Sequence, residues 1–514
     1  METNMQMMRT GSTMAERRNI AIAIAIACAL LGACAVGPNY TKPAVEVPAA
    51  YKENASQPIA NAHTSDWKPA QPADAIKRGA WWEVFGDPVL NQFEQQVDVS
   101  NQSLAQAEAQ YRQSRALVSG ARAAYFPTVG ISASATRSGN YANTTGAAST
   151  GSSHPSDSYS LPLSASWEPD LWGKVRRTVE ANVANAQASA ATLESTRLSL
   201  QAELAQDYFQ LRITDEQKRL LDDTVKGYQR SLQLTQNQYN VGVAARADVV
   251  AAEAQLKSAQ AQAIDLGIAR AQLEHAIALL VGKAPADVSI TVQPLAIKPP
   301  QIPVGLPSEL LERRPDVAEA ERQAAAANAQ IGIAKAAYFP SLTLSATGGY
   351  QSSSFANWLT APSRFWSLGP QLAATLFDGG ARRAQTAQAR AGYDAAVANY
   401  REVSLAALQN VEDNLAALRI LEHEAAAQAD ATKSAEQSLT IATNQYRAGI
   451  VSYLNVISAQ ATAYSAERGT ITILGTRLND SVALIKALGG GWEAGDLPVA
   501  RDINLHDPAP TNAH

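Results

Sequence analysis

Residues 121–127 read ARAAYFP, and residues 334–340 read AKAAYFP, 213 positions further on. After the first copy, Val129, Ile131, Ala133 and Ala135 alternate with Thr128, Gly130, Ser132 and Ser134. After the second, Leu342, Leu344 and Ala346 alternate with Ser341, Thr343 and Ser345. A helical pattern runs into each motif. Pro127 and Pro340 stop it, because proline has no N–H to donate and disfavours the helical conformation of the residue before it. The period then changes from helical to two, so each copy marks a corner from helix to strand, and the pair marks an internal duplication.

The duplication extends both ways. Upstream, Asn101-Gln102-Ser103-Leu104 and Arg314-Pro315-Asp316-Val317 open the two helices in the same register, and Asp87-Pro88 reads as a capped helix start with Leu90, Phe93 and Val97 as its stripe. Downstream, a polar loop follows each strand, GNYANTTGAASTGSSHPSDS at 139–158 and a shorter one near Ser352–Ser354. The chain returns on a second alternating segment, Leu161, Leu163, Ala165 and Trp167 in one half and Trp366, Leu368, Pro370, Leu372, Ala374 and Leu376 in the other. Each half thus offers one hairpin with an apolar and a polar face, and alternating segments of this length suit the strands of a membrane barrel.

Beyond Gly173 and Gly380 the two halves run 207 residues apart. Lys174, Arg176, Arg177, Arg382 and Arg383 stand in the first helical turns, where the helix dipole disfavours cations. They read either as a solvated basic cluster or as contacts to lipid phosphates at the inner membrane face. From Gly173 to Gly242 and from Gly380 to Gly449 are 69 residues each without an internal proline. Helices of that length reach about 100 Å and need coiled-coil packing against neighbours. Gly242 and Gly449 end them, the helical pattern resumes at Asp248-Val249 and Asn455-Val456, and it runs on to Gly282 and Gly489.

The spacing predicts a signal segment over 1–33, an N-terminal arm over 34–80, a first repeat over 81–282, a Pro-rich linker over 283–305, a second repeat over 306–489 and a tail over 490–514. Arg17 and Arg18 precede the apolar run Ile20–Leu31, which ends in Leu31-Gly32-Ala33-Cys34, and Met14 is a plausible start for it. Cys34 reads either as the acylated cysteine of a lipobox or as a cysteine inside an ordinary signal peptide. Cys28 and Cys34 are the only cysteines of the 514-residue chain, so its body holds no disulfide framework and no thiolate metal site. With 42 basic against 47 acidic side chains, bulk charge gives no reason to expect nucleic acid as a partner. His63, His154, His275, His423, His506 and His514 are scattered, and no phosphate loop, metal-spaced cluster or nucleophile elbow occurs. We expect no enzyme, cofactor or metal.

CAVGPNY at 34–40, WWEVFGDPVL at 81–90, the doubled AAYFP, WEPDLWGKVRR at 167–177, ERRPDV at 312–317, LFDGGARR at 376–383 and the tips QYNVG and QYRAG come in an order that resembles the outer membrane factor family, the TolC-like channels, and most of all its NodT-type lipoproteins. The resemblance covers about residues 34–495. It implies an α+β membrane protein: a trimeric twelve-strand β-barrel with four strands per chain, continued by a long periplasmic α-helical coiled-coil barrel and built on an internal two-fold repeat. Strand counting alone also admits a dimer with eight strands. The implied function is the outer membrane exit duct of a tripartite efflux system, anchored by lipid on Cys34 and sorted to the Gram-negative outer membrane. The implied partners are a periplasmic adaptor and an inner-membrane pump of the RND or a similar type. Gly242, Val243, Ala244, Gly449, Ile450 and Val451 would form the tips that dock the adaptor. The carboxylate ring that lines the closed tip of some relatives has no counterpart before Gly449, where Thr443, Asn444 and Gln445 stand. Asp248 is the nearby acid, and an N-cap accounts for it equally well. The competing reading is a periplasm-spanning coiled-coil lipoprotein or adhesin without a pore. It explains the anchor and the long helices but has no use for strand hairpins placed identically in both halves.

Overall fold

The computed structural model describes residues 36–53, 80–139, 155–295, 297–302 and 307–503. Cys28, Cys34, the signal-like segment and most of the first polar loop lie outside the described residues.

Helix α1 (Pro88–Ser100) starts as its sequence dictates. The Asp87 carboxylate accepts from the Val89 and Leu90 amides, and Pro88 occupies the first turn, where its missing N–H costs nothing. Asn101 caps α2 (Gln102–Ala123) through the Leu104 amide, while its Nδ2 donates to the Leu280 carbonyl. After the first hairpin come α3 (Lys174–Asn240) and α4 (Arg246–Leu280), and in the second half α5 (Pro315–Ala336), α6 (Ala381–Arg447) and α7 (Tyr453–Ala487). The halves match in length: α2 and α5 have 22 residues, α3 and α6 have 67, and α4 and α7 have 35. Sixty-seven residues make a rod of about 100 Å.

The strands are β1 (Thr128–Ile131), β2 (Ser134–Ser138), β3 (Ser156–Trp167), β4 (Ser341–Ser352) and β5 (Arg364–Ala373), all antiparallel. The first strand differs from the unbroken segment expected from sequence. It is interrupted at residues 132 and 133, yet β1 and β2 pair with β3 in one continuous register, from Thr128↔Ser166 to Ser138↔Ser156. The cause is Pro162. Its carbonyl accepts from the Ser132 amide at 3.1 Å, but it has no N–H to return the bond. The sheet order is therefore β1/β2, β3, β4, β5, four strands wide with both edges unpaired within the chain.

The largest apolar cluster lies at the level of α1. Trp81, Trp82 and Phe85, just upstream, and Leu90 and Val97 pack on Leu204, Tyr208, Phe209 and Leu211 of α3, and Ile277, Leu478 and Val482 complete it. A polar chain ties the inter-repeat linker to the same level. Tyr208 donates to Asp87 at 2.6 Å, Arg212 donates to Tyr208 and to the Thr291 carbonyl, and Arg270 bridges Asp215 to the Ile290 carbonyl. Arg212 and Asp215 are buried, Asp87 and Arg270 are half-buried, and each meets more than one partner, which is the condition under which such groups are tolerated inside a protein.

Residues 36–53 form an extended strap across α3, α5 and α6. It starts at the Val36 amide, which donates to the Trp172 carbonyl, and ends where Glu412 accepts from the Lys52 and Glu53 amides. Gly37 (φ 114°) lies so close to α5 that an added Cβ would stand 2.6 Å from the Gly332 Cα. Only glycine fits that conformation and that gap.

Glu94 of α1 is fully buried, and neither carboxylate oxygen has a partner among the described residues. Burial, with a smaller contribution from Asp98, pushes its pKa well above the ordinary carboxylate value. The folded state therefore holds a proton that the unfolded chain releases above about pH 4, so the stability this group contributes is complete below that pH and is lost as pH rises toward the raised value. Glu94→Gln should raise the melting temperature at about pH 7.5 and leave it unchanged at about pH 4. An equal shift at both pH values, read by circular dichroism, would contradict the assignment.

Candidate functional site

The register of the sheet sorts its side chains onto two faces. One face carries the rows Val129–Ala165–Ala346–Leu368, Ile131–Leu163–Gly348–Trp366, Trp167–Leu344–Pro370 and Leu342–Leu372. The other carries Thr128–Ser166–Ser345–Gly369, Gly130–Ser164–Thr347–Ser367 and Thr343–Gln371. The apolar face is bare in the single chain, with Trp366 82 % exposed and Ile131 70 % exposed. Twelve residues of β4 reach about 40 Å along the strand, and about 30 Å once tilted as barrel strands are, which matches a hydrocarbon core. Among the described residues no helix is long and apolar enough to cross a membrane.

Both Ala-Ala-Tyr-Phe-Pro motifs form the corners beneath the sheet. In the first, the Tyr125 and Phe126 amides fold back on the Arg122 and Ala123 carbonyls, and the Trp167 indole N–H donates to the Tyr125 carbonyl. In the second, Tyr338 and Phe339 fold back in the same way, Trp172 stacks on Phe339 at 4.8 Å, and its indole N–H donates to the Pro340 carbonyl at 2.6 Å. Trp167 ends β3 and Trp172 stands in the turn that joins it to α3, so both corners are pinned by the chain as it leaves the sheet. Tyr125, Phe126, Tyr338 and Phe339 stay exposed, an aromatic rim at the lower edge of the apolar band.

Cations are tolerated at the next position because of two carboxylates that sequence reading passed over. Asp170 accepts from the Val175 and Arg176 amides, and Asp378 from the Gly380 and Arg382 amides, so each plugs the positive end of a 67-residue helix that has no side-chain cap of its own. The five basic residues then divide. Lys174, Arg176 and Arg383 are exposed, and Arg382 pairs with Asp378 at 2.5 Å. Arg177 is a correction: it is 3 % exposed and turns inward to Glu180, Asn39 and the Gly37 carbonyl. Its guanidinium holds the strap and is out of reach of a membrane surface.

At the opposite end, two hairpin tips share one geometry. Gly242 (φ 79°) and Gly449 (φ 73°) take the left-handed conformation, the Val243 and Ile450 amides donate to the Gln238 and Gln445 carbonyls, and the glycine amides donate to Tyr239 and Tyr446. This is the Schellman ending, which needs glycine at its left-handed position. Val243 and Ile450 are exposed, while Ala244 and Val451 are half-buried. Asp248 accepts from the Ala245 amide and so caps α4. Tyr446 packs at a tilt against Tyr453, ring centroids 5.3 Å apart, and donates to Thr235 of α3, which joins the two tips.

The protomer is lopsided. Of equal-length helices, α3 buries 23 residues and α6 only seven, and Leu405, Ile420 and Ile441 of α6 are left exposed. Helix α6 lies at the side of the protomer, with apolar positions that the chain itself does not cover.

The profile of the family described as outer membrane efflux protein matches residues 94–283 and 306–490. The chain belongs to that family. The channel is 32 % identical over 474 residues to the toluene efflux pump outer membrane protein TtgC of Pseudomonas putida, covering 92 % of this chain and 95 % of the relative. It is 30 % identical over 481 residues to the pyoverdine export outer membrane protein OpmQ of Pseudomonas aeruginosa, covering 92 % and 98 %. Among solved structures, the outer-membrane channel OprN superposes with a TM-score of 0.79 at 31 % identity, over 89 % of this chain and all of that one. The open state of the Neisseria gonorrhoeae channel MtrE gives 0.76 at 28 %, over 90 % and 99 %. The protein is an outer membrane channel of the TolC-like fold, part of a Gram-negative efflux system, with its helices extending into the periplasm. The alternative of a coiled-coil lipoprotein without a pore falls with this assignment.

Removing the Asp170 carboxylate should leave two amides of α3 unpaired beside Lys174 and Arg176. We expect Asp170→Ala to cost about 1–2 kcal/mol, read as a lower denaturation temperature of the assembled channel, and Asp170→Asn to recover part of it. No loss in either variant would show that the carboxylate does not cap this helix.

Proposed function

We propose that three copies of the chain close a twelve-stranded barrel whose polar face lines a water-filled lumen, and that small toxic compounds leave passively through it. The lumen continues through the ring of long helices. A periplasmic adaptor docks on the tips around Gly242, Val243, Ala244, Gly449, Ile450 and Val451 and links the duct to an inner-membrane pump of the RND or a similar type. The duct carries out no catalysis and uses no cofactor. Lipid on Cys34 anchors each chain, and Lys174, Arg176 and Arg383 face lipid phosphates at the inner surface. The two-faced sheet with two unpaired edges, standing on two long hairpins, is the observation that supports this reading. Solvents and antibiotics are suitable cargo by analogy, since relatives are named as toluene and antibiotic efflux pump outer membrane proteins.

Purified channel in planar bilayers should give discrete single-channel conductance, and a protein that gives none at any voltage would contradict the duct. An added Cβ at Gly449 meets nothing within 4 Å, but Gly449→Val forces a β-branched residue to φ 73°. It should leave the trimer intact on native gels and abolish efflux-dependent resistance in a host that lacks its own channel. Loss of the trimer would assign this glycine to folding. Cys34→Ser should remove palmitate labelling, and unchanged labelling would refute the anchor.

A further inference from the structure

The loop between β4 and β5 folds over one side of the sheet. Phe355 and Trp358 pack on Tyr159 at ring separations of 5.5 and 5.9 Å and on each other at 6.0 Å. Tyr159 continues the apolar row of Leu161, Leu163, Ala165 and Trp167 on one face of β3, so the loop lies on the apolar face and turns away from the polar one. It is held in that shape by the Asn357 carbonyl, which accepts from the Thr360 amide, the Thr360 hydroxyl and the Ser363 hydroxyl. Phe355 is 69 % exposed and Leu359 61 %, whereas the Trp358 indole nitrogen is buried under the loop and has no partner among the described residues.

Cations stand on the same face at the same height. Arg364 opens β5 opposite Tyr350, with its guanidinium 5.9 Å from that ring, and Tyr350 pairs with Leu161 of the apolar row. Arg364 is exposed, and no carboxylate pairs with it among the described residues. Arg137 lies further out on this face, already engaged with Asp157 at 3.7 Å. An apolar wedge and a guanidinium without a carboxylate partner at the top of a lipid-facing strand are the groups that an acylated, phosphate-bearing headgroup requires.

We propose that this outer corner binds the phosphorylated glycolipid of the outer leaflet, with its phosphate on Arg364 and its acyl and sugar margin against Phe355, Trp358 and Leu359. The site is continuous with the apolar face and rests on the reading of that face as the lipid side. The loop then acts as a collar on the bilayer, and the lumen beneath it stays open.

Native mass spectrometry of the full-length, detergent-purified channel titrated with lipid A and with its dephosphorylated form tests the assignment. The wild type should prefer the phosphorylated lipid by about fivefold per site, as expected for one surface charge, and Arg364→Gln should abolish the preference while Arg137→Gln keeps it. The double variant Phe355→Ser with Leu359→Ser should weaken both lipids alike. Equal binding of the two lipids by the wild type, or a preference that survives Arg364→Gln, would overturn the proposal. So would a preference removed by Arg383→Gln and not by Arg364→Gln, because the phosphate site would then lie at the inner face. Single-channel conductance should be unchanged in every variant, so failure here leaves the duct standing.

Discussion

The outer edge of β5 governs what this chain can be. It is ten residues long, and alternate residues of a strand direct their N–H and C=O groups to one side, so about five pairs point away from β4 with nothing to meet. In water such an edge is satisfied by solvent. In hydrocarbon each missing partner costs several kcal/mol, so one bare edge amounts to about 20 kcal/mol or more, beyond the ~5–15 kcal/mol by which a folded domain is stable. The edge formed by β1 and β2 poses the same difficulty from the other side. A four-stranded sheet with an apolar face 30 Å tall therefore exists in a membrane only as part of a closed cylinder, and further copies of the chain are the natural source of strands.

The helices extend that constraint away from the bilayer. Cylinder closure fixes where each strand leaves the membrane, and the corners at Pro127 and Pro340 transmit those positions to the rods below. Trp167 and Trp172 tie the corners to the strand exits, and Asp170 and Asp378 relieve the starts of α3 and α6 of their unpaired amides. Small side chains then let the rods approach, as where Ala184 of α3 meets Ala325 and Ala326 of α5. The strap runs from the sheet's lower edge to Glu412 and binds the halves together across their repeat boundary. Equal helix lengths in the two halves bring both glycine tips to one level, where Tyr446, Tyr453 and Thr235 join them.

Much of this was legible in the residues because it follows from local chemistry. The glycine pairs at fixed offset, the absence of proline between them and the change of period after each Tyr-Phe-Pro are short-range signals, and short-range forces decide helix ends and strand faces. The features that escaped depend on contacts between distant segments. Arg177 looks the same as Arg176 in sequence, and only the approach of Gly37 and Asn39, some 140 residues earlier, separates a buried strap contact from a surface cation. The break between β1 and β2 is written at Pro162, on the partner strand, and is invisible in the strand that shows it. Glu94 sits beside the expected stripe of α1, and its burial is set by the α3 face that covers that helix.

Backbone hydrogen exchange on the assembled channel in detergent or nanodiscs tests the closure of the cylinder most directly. The amides of β5 and of β1/β2 that point away from their neighbours in the chain should be protected as strongly as those of β4, which is paired on both sides. Exchange within seconds at those edge amides, beside a protected β4, would mean that the sheet ends where the single chain ends, and the shared barrel would have to be abandoned.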